Sequence, residues 1–207
     1  ADPEQVNDRM RELSLKLPID SDIQIAIRFI EQSALYYAQV RGLGTLKLNS
    51  TKEYVEKYTE EFYLVDLYYR RTLEAYHELI TKENPIEQTL SDAKHQLDLE
   101  YAKITNVLNL EWLTCVGEKG AWFTETGLKR QEDFYKNESD TSVKQVVIVC
   151  DALRYEVAKE LMQELAKEKH IATIDAYQAM LPTETMYCKP ALLPHHLLEL
   201  NGTDMMV

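Results

Sequence analysis

The stretch that decides the fold runs from residue 143 to residue 156 and reads VKQVVIVCDALRYE. Its centre, Val146 to Cys150, is a β-branched and apolar run, which favours a strand covered on both faces, as in a parallel sheet. Asp151 follows that run directly. Residues 154–169 then carry apolar side chains at helical spacing, and Ile171 to Ala176 has the composition of a second strand. Strand, helix and strand in this order predict a βαβ unit with a right-handed crossover.

A helical periodicity governs the chain before this stretch. Residues 50–80 place apolar side chains at steps of three and four, and Ser50 with Glu53 forms a capping-box pattern at the start. A second helix is predicted from Asn84 onward, and an earlier one over about residues 21–40. Three or more antiparallel helices with short connections should result.

The sequence therefore predicts an α plus α/β organisation in three parts. Residues 1–116 form a helical bundle segment, residues 117–142 a connecting region rich in glycine and polar residues, and residues 143–207 a truncated α/β domain. The chain starts without methionine and stops at Val207 shortly after a Gly-Thr-Asp sequence. We expect it to be an excised or proteolytic piece of a longer protein.

The composition is that of a globular protein and argues against a nonspecific nucleic-acid binder and a membrane protein. Apolar residues make up 45% and charged residues 28% of the chain, the balance of a globular protein rather than a disordered one. The formal net charge of −12 argues against nonspecific nucleic-acid binding by this segment. The longest aliphatic run is far shorter than the ~20 residues of a membrane helix, so no membrane partner is expected.

Cysteine and histidine usage points to a reducing compartment. Three widely spaced cysteines do not suggest a disulfide framework, which favours a cytoplasmic location. They also lack zinc-finger spacing with the five histidines, so a structural zinc site is not expected. The 13 tyrosines are interpreted as residues at the edge of a core rather than as a platform for stacking bases.

Two residues could carry chemistry. Asp151 lies at the carboxyl end of the predicted first strand, where open α/β folds hold ligands, and its carboxylate could bind a divalent metal. Thr185, in the sequence LPTET, stands at the predicted entry of a helix, where a hydroxyl could meet phosphate oxygens and, activated by a metal, act as a nucleophile. Either residue could instead simply cap a helix, and the residues alone leave this open.

The two features together resemble a known family. The run at 146–150, the hexapeptide DALRYE at 151–156, LPTET at 181–185 and ALLPH at 191–195 are similar to the PglZ family of the alkaline phosphatase superfamily. The similarity is close over about residues 143–200, and DALRYE is its most specific part. It implies the first βαβα part of an alkaline-phosphatase-like α/β domain, preceded by helices.

The resemblance also implies residue roles. It makes Asp151 a metal ligand, and Thr185 both the phosphorylatable nucleophile and a metal contact. Arg154 and Glu156 belong to the same motif and are expected to hold Asp151 or its loop in place. Pro190, five residues after Thr185, raises the expectation that the helix begins later or bends.

The implied activity is metal-dependent phosphatase or phosphodiesterase chemistry, with zinc, manganese or magnesium as the divalent cofactor. Superfamily members need further Asp and His ligands, so this segment is expected to hold half a site and to show no turnover alone. The family works in phage-defence systems, which implies other defence proteins, including a DNA methyltransferase, as partners.

Two other classes of function remain open. A non-catalytic scaffold for the same defence complex is suggested by the acidic stripe of Glu53, Glu56 and Glu60. A nucleotide-binding domain is the weakest alternative, because the residues after the first predicted strand contain no glycine and the chain has no P-loop.

Overall fold

A computed structural model of the chain describes residues 2–16, 22–80, 87–117, 126–140, 142–180, 183–195, 198–201 and 204–206. The chain separates into two compact units, Ala1–Lys119 and Gly120–Val207. Within the described ranges, no helix is long and apolar enough to cross a membrane.

The first unit is helical throughout most of its described residues. Its elements, in chain order, are α1 (Pro3–Ser14), α2 (Asp22–Gly42), α3 (Thr51–Lys57), a π-helical segment (Tyr58–Phe62), α4 (Tyr63–Ile80) and α5 (Glu87–Val116). Helix α2 packs along both α1 and α4, and α4 also contacts α5. The helices predicted over residues 21–40, 50–80 and from 84 onward are thus confirmed, although Asn84 itself lies outside the described residues.

The predicted capping box at Ser50 forms, but its second hydrogen bond is displaced by one residue. Ser50 Oγ accepts a hydrogen bond from the Glu53 N–H at 3.1 Å. The Glu53 carboxylate accepts from the N–H of Asn49 at 2.8 Å, one residue before the capping residue. The two bonds satisfy backbone donors around the start of α3, which begins at Thr51.

The long helix predicted over residues 50–80 is continuous but widens at Tyr58–Phe62. Inside this π-helical segment, Thr59 Oγ1 lies 3.0 Å from the carbonyl of Val55 and 3.1 Å from that of Glu56. A threonine hydroxyl that bonds the preceding turn competes with regular helix bonding, so it accompanies a local distortion.

Tyrosines and aspartates organise the core of this unit. Tyr36 is fully buried beside Val65 and Leu97, and the rings of Tyr69 and Tyr101 stack with centroids 3.7 Å apart. Tyr36 thus lies inside the core rather than at its edge, whereas Tyr69 and Tyr101 are partly exposed, as the edge-of-core interpretation predicts.

Their hydroxyls meet carboxylates. Tyr101 donates to one oxygen of Asp66 at 2.6 Å and Tyr58 to the other at 3.0 Å. Tyr69 donates to Asp98 at 2.9 Å. These bonds tie α4 to α5 and to the π-helical segment.

The second unit contains short elements. In chain order they are β1 (Lys129–Arg130), a 3₁₀ turn (Gln131–Asp133), α6 (Phe134–Glu138), α7 (Tyr155–Lys167), β2 (Tyr177–Gln178), α8 (Thr185–Ala191), β3 (Glu199–Asn201) and β4 (Asp204–Met206). Strands β1 and β2 pair in parallel, with Lys129 opposite Tyr177. Strands β3 and β4 pair antiparallel. The helix predicted over residues 154–169 is confirmed as α7.

The predicted βαβα order is not confirmed. Residues 146–150 and 171–176 belong to no strand, and β2 begins one residue after the second predicted strand. Val146 and Ile148 are 80% exposed and Ile171 is 100% exposed. A buried parallel strand needs paired neighbours and covered faces. Within the described part of the second unit, the parallel pairing is only two residues long, so it cannot cover these side chains.

Candidate functional site

The candidate site starts at a strained turn before α7. Asp151 lies in this turn, and its carboxylate Oδ1 accepts the N–H of Ala152 at 3.0 Å. Ala152 has φ of +56°, in the left-handed region that side chains other than glycine rarely adopt. Backbone strain of this kind costs on the order of 1–3 kcal/mol and is concentrated at functional sites.

Thr185 lies beside Asp151 although 34 residues separate them. Its Oγ1 is 3.3 Å from Asp151 Oδ1 and 3.2 Å from Oδ2, so the hydroxyl donates to the carboxylate. The two side chains that the sequence motifs single out therefore lie together in the structure. They meet where the turn that contains Asp151 faces the first residue of the helix that begins at Thr185. Among the described residues, no sheet edge lies at this point.

Helix α8 begins at Thr185, so of the two predicted effects of Pro190, a later start or a bend, the later start is excluded. Its capping residue, Glu184, is extended, and the N–H groups of Tyr187 and Cys188 bond the Glu184 carbonyl at 3.0 and 2.9 Å. Pro190 is inside the helix, which ends at Ala191. A proline interrupts helix bonding, which agrees with this short length.

A cation completes the group. Lys189 lies one helical turn after Thr185, and its Nζ is 3.7 Å from Asp151 Oδ2. The side chains of Lys189 and Asp151 are 53% and 59% exposed. Hydroxyl, carboxylate and ammonium therefore share one solvent-facing position, and the carboxylate oxygen Oδ2 contacts both partners.

Arg154 and Glu156 act at the start of α7. Arg154 Nε lies 2.9 Å from Glu156 Oε1, and the Glu156 side chain is fully buried. Arg154 also supplies the carbonyl that accepts the Ala158 N–H at 3.0 Å. The pair thus anchors the helix that follows the Asp151 turn, while their predicted support of Asp151 stays a prediction.

Gln131 is a positioning residue that sequence reasoning missed. Its Nε2 donates to the Cys188 carbonyl at 3.1 Å, and its Oε1 accepts the Met180 N–H at 3.1 Å. Cys188 lies in α8, three residues after Thr185. Gln131 therefore joins the 3₁₀ turn to the helix that carries the hydroxyl. The only sequence signal is the stretch Gln131 to Tyr135, which resembles the same family more loosely than DALRYE does.

The donor types suit part of a divalent metal site. Carboxylate and hydroxyl oxygens are the hard ligands that magnesium and manganese take, and zinc also accepts carboxylate oxygen. The described ranges hold no group of three or more His, Cys, Asp or Glu that could bind a metal. His195 Nδ1 lies 2.8 Å from the Leu193 carbonyl. Asp151 and Thr185 thus fit a metal as two donors of a larger set.

The segment that holds this site matches a known family. Residues 132–207 match the family described as the BREX system PglZ alkaline phosphatase-like domain. Residues 132–207 are PglZ-like. This confirms the resemblance carried by DALRYE and LPTET, although Leu181 and Pro182 of the second motif lie outside the described residues.

Two curated proteins are similar to the chain. It is 29% identical over 184 residues to the "Alkaline phosphatase-like protein PglZ" of Bacillus cereus (strain H3081.97), covering 83% of this chain and 21% of that protein. It is 38% identical over 79 residues to the "Alkaline phosphatase-like protein BrxZ" of Escherichia coli O9:H4 (strain HS), covering 35% of this chain and 9% of that protein. The chain thus spans about a fifth of the PglZ relative. No solved structure matches it.

Proposed function

We propose that this chain is part of a metal-dependent phosphatase or phosphodiesterase-like PglZ protein of a bacterial phage-defence system. The observation that carries the proposal is the pair of contacts, 3.2 and 3.3 Å, between Thr185 Oγ1 and the Asp151 carboxylate. Both residues lie in the PglZ-like segment, Asp151 in the DALRYE motif and Thr185 in the LPTET motif. An α/β domain of βαβα order in the whole protein is part of the proposal.

Thr185 is the proposed nucleophile. Its hydroxyl points its proton at Asp151, which leaves the oxygen lone pairs directed away from that carboxylate and toward an approaching phosphorus atom. The bond from Oγ1 to phosphorus forms as the bond from phosphorus to the ester oxygen breaks, and the threonine proton ends on the departing alcohol. A water molecule later attacks phosphorus, which releases phosphate and returns a proton to Oγ1. A divalent metal held by Asp151, Thr185 and further ligands would lower the hydroxyl pKa and stabilise charge on the phosphoryl group.

Arg154 and Glu156 have a supporting role in this proposal. Their ion pair sets where α7 begins, and α7 begins four residues after Asp151. A fixed helix start restrains the turn that holds the carboxylate, because Ala152 is already in a narrow conformational region. Neither residue is assigned a contact with substrate.

The 207-residue chain alone is proposed to be inactive. Thr185 and Asp151 are exposed, so water competes for every charge in the site. Phosphoryl transfer relies on electrostatic stabilisation in a site from which water is excluded. Two oxygen donors also fall short of a complete metal shell.

The proposed setting is the cytoplasm, among the other proteins of a phage-defence system, including a DNA methyltransferase. Both curated relatives are named as alkaline phosphatase-like proteins, and the matching family belongs to the BREX system. The chain itself is strongly acidic, with a formal charge of −12, so nucleic acid is expected to reach such a complex through another component.

A second candidate is a non-catalytic scaffold in the same complex. Helix α5 exposes several large apolar side chains from its middle to its C-terminal end, which is unusual for a helix that faces only water: Leu99, Val107, Leu110 and Leu113. A partner helix could cover these side chains. In that case Asp151 and Thr185 would serve only local structure.

Metal binding and hydrolysis in the whole protein separate the two candidates. Manganese and zinc binding to metal-stripped protein is measured by calorimetry, together with hydrolysis of nitrophenyl phosphate mono- and diesters. Asp151→Asn should weaken metal binding and hydrolysis, and Thr185→Ala should remove hydrolysis. Thr183→Ala, the same change two residues earlier, is the matched control and should keep both.

Two results would decide against the catalytic proposal. Hydrolysis that survives Thr185→Ala would exclude this hydroxyl as the nucleophile. Whole protein that binds neither zinc nor manganese would remove the basis of the enzyme proposal and favour the scaffold. For the 207-residue chain, zinc-dependent hydrolysis that disappears in Thr185→Ala would contradict the proposed inactivity of the chain alone.

A further inference from the structure

We infer that Lys189 exchanges partners during the binding cycle of the site. Its ammonium holds the Asp151 carboxylate while no cation is bound there, and it binds a phosphoryl oxygen of the substrate once a divalent cation takes that carboxylate. The inference rests on the proposed function and adds a residue that positions the phosphoryl group.

Lys189 and the Thr185 hydroxyl contact the same carboxylate oxygen. Lys189 Nζ and Thr185 Oγ1 lie 3.7 and 3.2 Å from the same atom, Asp151 Oδ2. Both side chains project from α8, four residues apart, so they lie on one face of the helix. An oxyanion attached to Thr185 Oγ1 would therefore form within the range that the long lysine side chain can sweep.

The contact is of a kind that exchanges readily. Both side chains of the ion pair are more than half exposed, and solvent screens such pairs strongly. A lysine ammonium loses little interaction energy when it moves between two acceptors, because its four-carbon stem is flexible and its three N–H donors can rotate to meet either one. A divalent cation on the carboxylate repels the ammonium, whereas a doubly charged phosphate attracts it.

The charges at the site favour such a residue. Without a cation, Asp151 would repel an incoming phosphate, and the ammonium offsets that charge. Exchange therefore predicts effects of opposite sign when the ammonium is removed: tighter metal binding, because a competitor for Asp151 is gone, and weaker phosphate binding in the metal-loaded protein. A lysine that only stabilised α8 would not produce this opposition.

The test uses the metal-stripped whole protein with two probes. Manganese alone is titrated by electron paramagnetic resonance of the free ion, and inorganic phosphate is then titrated into manganese-saturated protein. Lys189→Met should bind manganese about threefold more tightly and phosphate about tenfold more weakly. Lys189→Arg keeps the charge and should bring both affinities back toward those of the unaltered protein.

Lys167→Met is the matched control. Lys167 is an exposed lysine in the same unit, and its Nζ pairs with the Glu164 carboxylate at 2.6 Å. The substitution removes the same charge from a similar pair, and both affinities should stay within about twofold of the unaltered protein. A shift in Lys167→Met as large as in Lys189→Met would assign the effect to net charge and overturn the inference.

The outcomes also separate this inference from the proposed function. Protein that binds neither manganese nor zinc, or whose manganese binding survives Asp151→Asn unchanged, overturns both. Protein that binds zinc but not manganese overturns the manganese-linked exchange alone. Manganese binding that depends on Asp151 but is unmoved or weakened in Lys189→Met overturns only the partner exchange. Phosphate affinity that does not fall in Lys189→Met has the same meaning, because the second half of the exchange would then be wrong.

Discussion

Replacing Asp66 with alanine tests how the helical unit is held together. One Asp66 oxygen accepts from Tyr101 at 2.6 Å and the other from Tyr58 at 3.0 Å, so the substitution removes the acceptor of two tyrosine hydroxyls at once. A hydrogen bond to a charged group contributes about 1.5–3 kcal/mol. All three side chains are only partly buried, so the lower end applies to each bond.

The expected loss is therefore about 3 kcal/mol of unfolding free energy. It is measured by urea unfolding of the 207-residue chain, followed by circular dichroism at 222 nm, where the long helices of the first unit dominate the signal. With a slope of about 1.5 kcal/mol per molar urea, the midpoint should fall by about 2 M. Tyr58→Phe and Tyr101→Phe each remove one bond and should each cost about half as much.

Asp92→Ala is the control for this measurement. Asp92 is an exposed helix carboxylate that accepts from the Gln88 side chain at 3.0 Å, so its loss should change the unfolding free energy by less than about 0.5 kcal/mol. If the urea midpoint of Asp66→Ala lies as close to that of the unaltered chain as the midpoint of Asp92→Ala does, the two tyrosine bonds to Asp66 do not stabilise the unit. An Asp66→Ala loss no larger than that of either tyrosine substitution would also refute the reasoning.

Three further predictions concern the cap, the turn and the tyrosines. Ser50→Ala should lower the unfolding free energy by about 1 kcal/mol, because the Glu53 N–H loses its acceptor, and Ser50→Asp should restore it; equal urea midpoints for Ser50→Ala and the unaltered chain would speak against the cap. Ala152→Val should lower the unfolding free energy by about 1–2 kcal/mol and lower Tm, because a β-branched residue is strained at positive φ. Ala152→Gly should lower neither. A Tm that is lower for Ala152→Gly than for Ala152→Val would show that the turn is not strained. Burial raises the pKa of Tyr54 and of Tyr69 to about 12, so absorbance at 295 nm should show a late titration. The neutral phenol is favoured in the folded chain, hence this stability is complete below about pH 10 and is lost as pH rises toward about 12; native-chain tyrosines that all titrate near pH ~10 would contradict the burial.

The helical unit was predictable because its signals are local. The Ser50 cap and the apolar spacing over residues 50–80 lie within a few turns of one another, and they specify where a helix starts and which face is buried. The π-helical segment was not predictable in the same way. It depends on where the Thr59 hydroxyl bonds, and a threonine inside a helix can also face water.

The strands were predicted less well because pairing is not local. The run at 146–150 has strand composition, but composition cannot supply the neighbouring strand that a ladder requires. The observed parallel pair joins Tyr177, which directly follows the second predicted strand, to Lys129, a residue type that is depleted in strands. The predicted short-range order of strand, helix and strand therefore stays a proposal.

In the candidate site, too, the residues within sequence motifs could be predicted, whereas those that act through backbone conformation or distant contacts could not. The meeting of Asp151 and Thr185 was predictable from two motifs, and the observed contacts agree with it. The left-handed Ala152 carried no signal, since alanine rarely adopts this conformation. Gln131 had only the weak signal of the stretch that begins with it, because its role comes from bonds to Met180 and Cys188 far along the chain.

The exposed run at 146–150 has a consequence for how the 207-residue chain behaves in solution. It offers β-branched side chains and backbone groups outside the ladders that the described residues form, with no charge or proline between Val146 and Cys150. Such segments stack on copies of themselves and nucleate aggregates. The negatively charged surface keeps molecules apart at low ionic strength, but salt screens that repulsion over about 10 Å at roughly 0.1 M. Concentrated samples in high salt should therefore be the first to precipitate, and a charged residue at Ile148 would keep them dispersed.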